Sequence, residues 1–446
     1  MAGAQQTDRV DVNAIIDNTT LGARQIGVIA ICLFAMIMEG YDTYSVSYVG
    51  PQLSQLWDIP SEKLGFLLSA VLIGAATGYL IGGTLADKVG RRNLILIGTA
   101  GFGVTTLLTA TATNTDIFIV WRVVTGIALG ITLPNIVSLS AEYAPARHRA
   151  LSVVILYAGA GVGASIGGVV AGKLVPLFDW RMVFYVGGVI PLALAGLMIV
   201  VLPESIRFLA LRDGNESRIR ALLSRITDIS RIPADATFCL KGERPAKIPV
   251  GELFRHGRAP ATLLIWLTLT ADGGVLVIIA FWLPSLLVDA GQSQAMAIEM
   301  TTMTAMGGIF GAPVIGWLMD RLGPYRVLLP VHVLAVLLIL SIVWTLNAPS
   351  LILGLIYGAA MNGGVSGLNG LIASIYPTSI RGTGVGWAVA VGRVTGIAAP
   401  TIIGFVRAAH FAPTTNLYGC SILIAVAMVS LYFLSRHRYG QPVRAD

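Results

Sequence analysis

Long apolar runs separated by short polar connections recur along the whole chain. A helix needs about 20 predominantly apolar residues to cross the hydrocarbon core of a bilayer. Runs of that length predict helices near 24–50, 62–84, 94–113, 116–139, 150–172 and 181–202. A second series follows near 260–288, 295–319, 327–346, 350–374, 382–407 and 416–435. The pattern divides the chain into an N-terminal tail (1–23), a six-helix bundle (24–202), a polar middle loop (203–258), a second six-helix bundle (259–435) and a C-terminal tail (436–446). The predicted class is an all-α membrane protein with twelve transmembrane helices.

Composition strengthens that reading. Of 446 residues 55% are hydrophobic and only 12% charged, and mean hydropathy is +0.78. Soluble domains carry roughly 25% charged residues, and a water-soluble fold could not bury so much apolar surface. The 51 glycines fit close helix–helix approach in lipid. The net charge of +7 does not point to nucleic acid, because the basic residues sit in loops at the ends of apolar runs and not on one surface. Their distribution sets an orientation instead. Lys88, Arg91, Arg92, Arg147, Arg149, Arg321, Arg326, Arg381, Arg436 and Arg438 fall on one side, with eleven Lys and Arg in 203–258. The opposite loops carry few, such as Lys63, Lys173 and Arg407. Both termini and the middle loop are therefore expected in the cytoplasm. Residues 1–23 are polar and mixed in charge, unlike a cleavable signal peptide. Cys32, Cys239 and Cys420 are scattered and suggest neither disulfides nor a metal site.

An internal repeat sets the architecture. A shift of 233 residues lays Gly83, Asp87 and Gly90 on Gly316, Asp320 and Gly323, Pro51 on Pro284, Tyr143 on Tyr376, and Gly159/Gly163 on Gly392/Gly396. It also lays Glu39 on Asp272, an acid on an acid within an apolar run. A constant offset over several helices implies two pseudo-symmetric six-helix halves related as parallel repeats. In transporters of this build, the substrate site lies between the repeats near mid-bilayer.

Ionisable residues inside apolar runs are expensive and mark function by default. Glu39 and Asp42 in the first helix are three residues apart and share a face. So close a pair does not comfortably ionise twice, so at least one is expected to hold a proton. The competing reading makes one acid the structural partner of Arg122. Arg122 heads a stripe in the fourth helix, with Gly126, Gly130 and Pro134 following at four-residue intervals. A snorkelling Arg122 is the alternative there. Arg393 lies 12 residues past Arg381, roughly 18 Å along a helix, too deep for easy snorkelling. Its planar fork suits a carboxylate. The alternative is an ion pair with Asp272, which is otherwise a second protonation candidate. The segment Gly-Gly-Thr-Leu-Ala-Asp-Lys-Val-Gly-Arg-Arg at 82–92, echoed at 316–326, offers a tight turn and a charged clasp through Asp87, Arg91 and Arg92. The five histidines show no metal-ligand spacing, and His332 is expected to be packed or hydrogen-bonded. Nothing suggests enzymatic chemistry, and no cofactor is expected.

The 82–92 segment and its echo resemble the signature loop of the major facilitator superfamily, and the Arg122 stripe resembles that superfamily's helix-4 motif. Beyond this, Tyr376-Pro-Thr-Ser-Ile-Arg381-Gly-Thr-Gly384-Val-Gly386-Trp387 leading to Arg393 resembles the aromatic acid/proton symporter family. So do Glu39-Gly-Tyr41-Asp42, Trp282-Leu-Pro284 and Glu142-Tyr-Ala-Pro145. Glu39 stands where that family usually shows Asp, Asp272 is an extra acid, and Pro203-Glu204-Ser205 resembles sugar-transporter sequences. The resemblance implies proton-driven import of a benzoate-like anion across a bacterial inner membrane. Protons would couple through Glu39, Asp42, Arg122 and Asp272. Arg393 would hold the carboxylate, with Tyr41, Tyr44, Phe281, Trp387 and Asn362 around the ring. Asp87, Arg91, Arg92, Glu142, Arg147, Asp320, Arg321 and Arg381 would gate. The expected partners are a small aromatic carboxylate, protons and the lipid bilayer, with the chain a monomer. The alternatives are transport of another organic or sugar acid, or proton-coupled drug export, which gives a mid-membrane arginine no role. A transport-inactive sensor would need a signalling domain larger than 203–258.

Overall fold

The computed structural model describes residues 9–437, except 213, 230, 231, 234, 235, 241–248, 347, 378, 379 and 410. All twelve predicted spans are present as long apolar helices. A short strand β1 (Arg9–Asp11) and helix α1 (Val12–Asp17) precede them. The first six spans are α2 (Ala23–Leu56), α3 (Ser61–Val89), α4 (Arg91–Ala110), α5 (Thr115–Tyr143), α6 (Ala146–Leu174) and α7 (Arg181–Val201). Between the halves lie α8 (Ile206–Ala210), α9 (Glu216–Leu223) and strand β2 (Thr237–Cys239). The second six are α10 (Ala259–Asp289), α11 (Gln294–Leu322), α12 (Pro324–Trp344), α13 (Leu351–Ile375), α14 (Arg381–Ala408) and α15 (Pro413–Arg436). Large apolar side chains such as Leu80, Leu177, Val200 and Trp344 are exposed on the outer surface, as lipid-facing positions require.

The repeat is visible in the packing. Gly90 and Gly323 end α3 and α11 with φ of +94° and +89°, a region closed to most side chains, so each half turns sharply into its next helix. A Cβ on Gly74 of α3 would sit 2.0 Å from the Val123 carbonyl of α5, and one on Gly307 of α11 would sit 2.0 Å from the Leu355 carbonyl of α13. The small-residue stripe read at Gly126 and Gly130 is the other side of this backbone-to-backbone crossing. Dispersion at such short range holds helices together where lipid removes the hydrophobic drive.

The halves meet along α3–α14, α6–α11 and α2–α10. Towards the end away from the termini, Ser69 and Thr401 share a hydrogen bond of 2.9 Å, and the Tyr44 ring lies 5.5 Å from that of Phe281. At the opposite end the tail and middle loop are folded onto the first half. β1 pairs in parallel with β2, Arg9 opposite Thr237. Asp11 caps α1 by accepting from the Asn13 backbone N–H at 3.0 Å. Val12, Ile16, Ile219, Leu223 and Phe238 join one apolar cluster with Tyr143 and Leu202. Hydropathy marks both segments only as polar connections, so their docking is a finding of the structure.

Candidate functional site

Residues from α2, α3 and α14 converge in the seam. Arg393 is exposed although it lies in the middle of α14, and its contact across to the first half places it at the seam. Its guanidinium carbon sits 4.5 Å over the ring centre of Tyr79, a half-buried residue of the opposite half. Among the described residues no carboxylate is in salt-bridge contact with it. Glu39 is half-buried, accepts from the Thr43 hydroxyl at 3.1 Å, and interacts electrostatically with Arg393. Tyr44 and Tyr79 both lie in the field of Glu39. The seam thus gathers one acid, one guanidinium and a set of aromatic rings, a combination suited to a flat organic anion.

Asp42 takes a different place. It is wholly buried and forms an ion pair with Arg122, also wholly buried, at 3.0 Å. Arg122 also donates to the Asp42 main-chain carbonyl at 2.9 Å, and the Thr106 hydroxyl donates to Asp42 Oδ1 at 2.7 Å. Arg122 therefore does not snorkel. Spacing puts Glu39 and Asp42 on one face, yet only Glu39 reaches the seam, because the three-residue step of about 300° leaves roughly 60° between them. Tyr41 also departs from expectation. Its ring packs within the first half and its hydroxyl donates to the Val183 carbonyl at 2.8 Å. Trp387 stacks on Trp266, centres 6.3 Å apart, inside the second half. Asn362 donates to Gly358 of its own helix at 3.1 Å and lies against Gly308. Tyr44 and Phe281 are the aromatic candidates that do meet across the seam.

The ion pair between Arg393 and Asp272, weighed as the alternative for both residues, is not formed. Asp272, on α10, is 1% exposed and bonds to His332 of α12 at 2.9 Å. The gating residues also distribute unevenly. Arg91 forms a salt bridge with buried Glu142, which also accepts from the Ser205 hydroxyl. The Arg92 side chain donates to the carbonyls of Leu202 and Ile199, and its backbone N–H to Glu204 at 3.0 Å. The clasp thus ties the α3–α4 turn to the ends of α5 and α7, within the first half. The side chain of Asp87 lies outside the described residues. Arg147 and Asp320 are exposed, Arg321 stacks over Trp317 at 4.1 Å, and Arg381 donates to the Tyr376 carbonyl at 3.4 Å. Tyr79, Thr106, His332 and Glu204 were missed as site residues. Glu204 carried a signal in the Pro203-Glu204-Ser205 segment, and His332 carried one as an ionisable residue inside an apolar run but was read as packed or hydrogen-bonded.

The profile of the Major Facilitator Superfamily matches residues 32–400 and 293–444. The fold agrees: a D-xylose–proton symporter structure aligns over 94% of this chain and 99% of its own, with TM-score 0.70 at 16% identity. The chain belongs to the major facilitator superfamily. Within it, the chain is similar to transporters of aromatic acids. The gallate transporter of Pseudomonas putida is 36% identical over 400 residues, 89% of each chain. A 4-hydroxybenzoate transporter of Acinetobacter baylyi is 34% identical, covering 87% of this chain and 86% of its own. The benzoate transport protein of the same organism is 28% identical over 97% of this chain and 94% of its own.

Proposed function

We propose that the protein imports a small aromatic carboxylate together with protons across a bacterial inner membrane, with both termini in the cytoplasm. The observation that carries this reading is Arg393: a mid-helix guanidinium, open to the seam, in salt-bridge contact with no carboxylate among the described residues. A charge at that depth needs an anion, and a planar carboxylate meets its fork in two parallel hydrogen bonds. Tyr79, Tyr44 and Phe281 supply rings for an aromatic body.

Glu39 is the proton carrier in this reading. As a carboxylate it competes with substrate for the field of Arg393; once protonated it leaves Arg393 to the incoming anion. Asp42, its charge held by Arg122, fixes α2 so that Glu39 faces the seam. The clasp of Arg91 with Glu142, and of Arg92 with the end of α7, moves as part of the first half while the halves rock.

Purified protein in liposomes, with an acidic exterior imposed, tests the reading. 4-Hydroxybenzoate, benzoate or gallate should accumulate against its gradient, and a protonophore should abolish the accumulation. Accumulation that ignores the protonophore removes the symport assignment. Failure of all three acids, with a sugar or aliphatic acid moving instead, removes the aromatic one.

A further inference from the structure

Outside the seam, α10 and α12 bury a second ionisable pair. Asp272 and His332 are 1% and 2% exposed, with Oδ2 and Nε2 2.9 Å apart. His332 Nδ1 lies 2.7 Å from the Leu328 carbonyl oxygen. A carbonyl only accepts, so Nδ1 carries a hydrogen. Nε2 then meets Oδ2 in one of two ways: an imidazolium donates to a carboxylate, or a carboxylic acid donates to a neutral imidazole. The remaining combination would press two lone pairs together at 2.9 Å. The geometry therefore requires one shared proton.

The surroundings suit a proton that is not permanently fixed. Asp272 Oδ1 is buried without a hydrogen-bond partner among the described residues, and so is the Tyr357 hydroxyl on α13. An orphan oxygen costs less as the carbonyl of a neutral acid than as half of a carboxylate. Tyr357 interacts electrostatically with Asp272 and with Cys420 of α15. Tyr357 of α13 is thus a titratable neighbour of the pair, with Cys420 interacting with Tyr357, while Arg393 of α14 is turned onto Tyr79. The space beside the pair is lined otherwise by Val331, Ala335, Ala360, Met361 and Gly364. It is nowhere wide enough for a water molecule, so exchange of the proton requires α12 and α13 to shift. Among the described residues the first half shows no such carboxyl–imidazole pair: the repeat places Thr99 opposite His332, and its buried acids Asp42 and Glu142 are paired with arginines, which do not give up a proton.

We propose that Asp272 and His332 form a second proton-binding site, in the second half, whose shared proton exchanges with water when α12 and α13 move during transport. Release leaves a carboxylate and a neutral imidazole, and uptake restores the shared hydrogen bond; no other bond changes. The proposal rests on the symport reading and adds to it a second proton in the coupling ratio. A mere tie between α10 and α12 would hold its proton throughout the cycle.

Two measurements decide. In liposomes, the pH gradient that just balances a 4-hydroxybenzoate gradient gives the proton-to-substrate ratio. That ratio should fall by one proton in Asp272→Asn and in His332→Gln, with counterflow of 4-hydroxybenzoate retained. An unchanged ratio in either variant overturns the proposal. The second measurement leaves the pair intact. With His148, His256, His410 and His437 replaced by glutamine, the ¹⁵N spectrum of the protein reports His332 alone. Its ring signals should move over the range in which histidine and carboxyl groups titrate. Signals invariant with pH, with and without 4-hydroxybenzoate, overturn the proposal even where the variants fail to fold. If the parent moves 4-hydroxybenzoate with no protons, the symport reading falls separately, and this spectrum alone decides whether the pair binds an exchangeable proton.

Discussion

Replacing Asp42 by asparagine isolates what the buried pair in the first half does. Asparagine keeps the size of the side chain and an acceptor for Thr106, and the bond from Arg122 to the main-chain carbonyl at residue 42 survives. What is lost is the negative charge opposite a guanidinium with no solvent exposure, whose Nε also lacks a hydrogen-bond partner among the described residues. Removing one partner of a buried ion pair costs about 3–5 kcal/mol, whereas removing both together is often neutral. Asp42→Asn should therefore destabilise the protein by about that amount, and Asp42→Asn with Arg122→Gln should regain most of it. Unfolding of the purified protein in detergent, followed by tryptophan fluorescence over the four members of the cycle, measures the coupling. Losses that add to within about 0.5 kcal/mol would show that the two residues do not stabilise each other in the folded state. Counterflow of 4-hydroxybenzoate should persist in the double variant, because neither group reaches the seam. Loss of binding there, with folding intact, would return Asp42 to the substrate path.

The seam makes its own predictions. Arg393→Lys keeps the charge but loses the fork, so 4-hydroxybenzoate affinity should fall by roughly 1.5–3 kcal/mol, about 10- to 150-fold, in direct binding; parental affinity in Arg393→Ala would end its assignment as anchor. Glu39→Gln should abolish gradient-driven accumulation and leave counterflow, and a variant that still concentrates substrate would clear Glu39 of coupling. Arg91→Ala leaves Glu142 buried at 3% exposure without its cation, so it should unfold at lower temperature, with stability recovered by adding Glu142→Gln; a second substitution that gives no recovery would mean the clasp contributes nothing to folding.

The helices were legible because a run of about twenty apolar residues is too long for an ordinary core helix and matches the bilayer, and the halves because the repeat kept one offset. The end of α2 was not. Pro51 reads as a stop, yet the helix continues to Leu56, since membrane-spanning helices tolerate proline where neighbours compensate the lost hydrogen bond. The β1–β2 pair was invisible for a different reason. Three-residue strands carry no periodicity, and their partners are more than two hundred positions apart. Within the site, residue type and depth identified Glu39, Asp42, Arg122, Asp272 and Arg393. Partner choice was legible only in part: one acid of the Glu39/Asp42 pair was weighed as the partner of Arg122, but not which one, and His332 and Tyr79 were not foreseen as partners. Asp42 goes to Arg122, Asp272 to His332 and Arg393 to Tyr79, and each choice depends on how far a helix is rotated in its bundle. A rotation of one residue, about 100°, would turn Arg393 out of the seam.

Partner choice also bears on how the molecule works. The scaffold is repeated faithfully where backbone meets backbone, at Gly74 and Gly307 or at Gly90 and Gly323. Under the same offset most of the charges within the spans do not repeat. Arg393 falls on Ala160, Arg122 on Leu355, Asp42 on Val275 and His332 on Thr99. In the proposed reading, symmetry is retained where the halves rock as similar bodies and broken where a ligand with one charged end is held. Deep within the spans one acid repeats, Glu39 on Asp272, and the two differ in what they face: the exposed Arg393 for the first, the buried His332 for the second. If both acids carry protons, the first is positioned to sense the substrate anion directly and the second only the movement of helices. Coupling through the second would then survive any change of substrate that leaves the conformational cycle intact, and measuring the proton ratio with benzoate and with gallate as well as 4-hydroxybenzoate separates the two contributions.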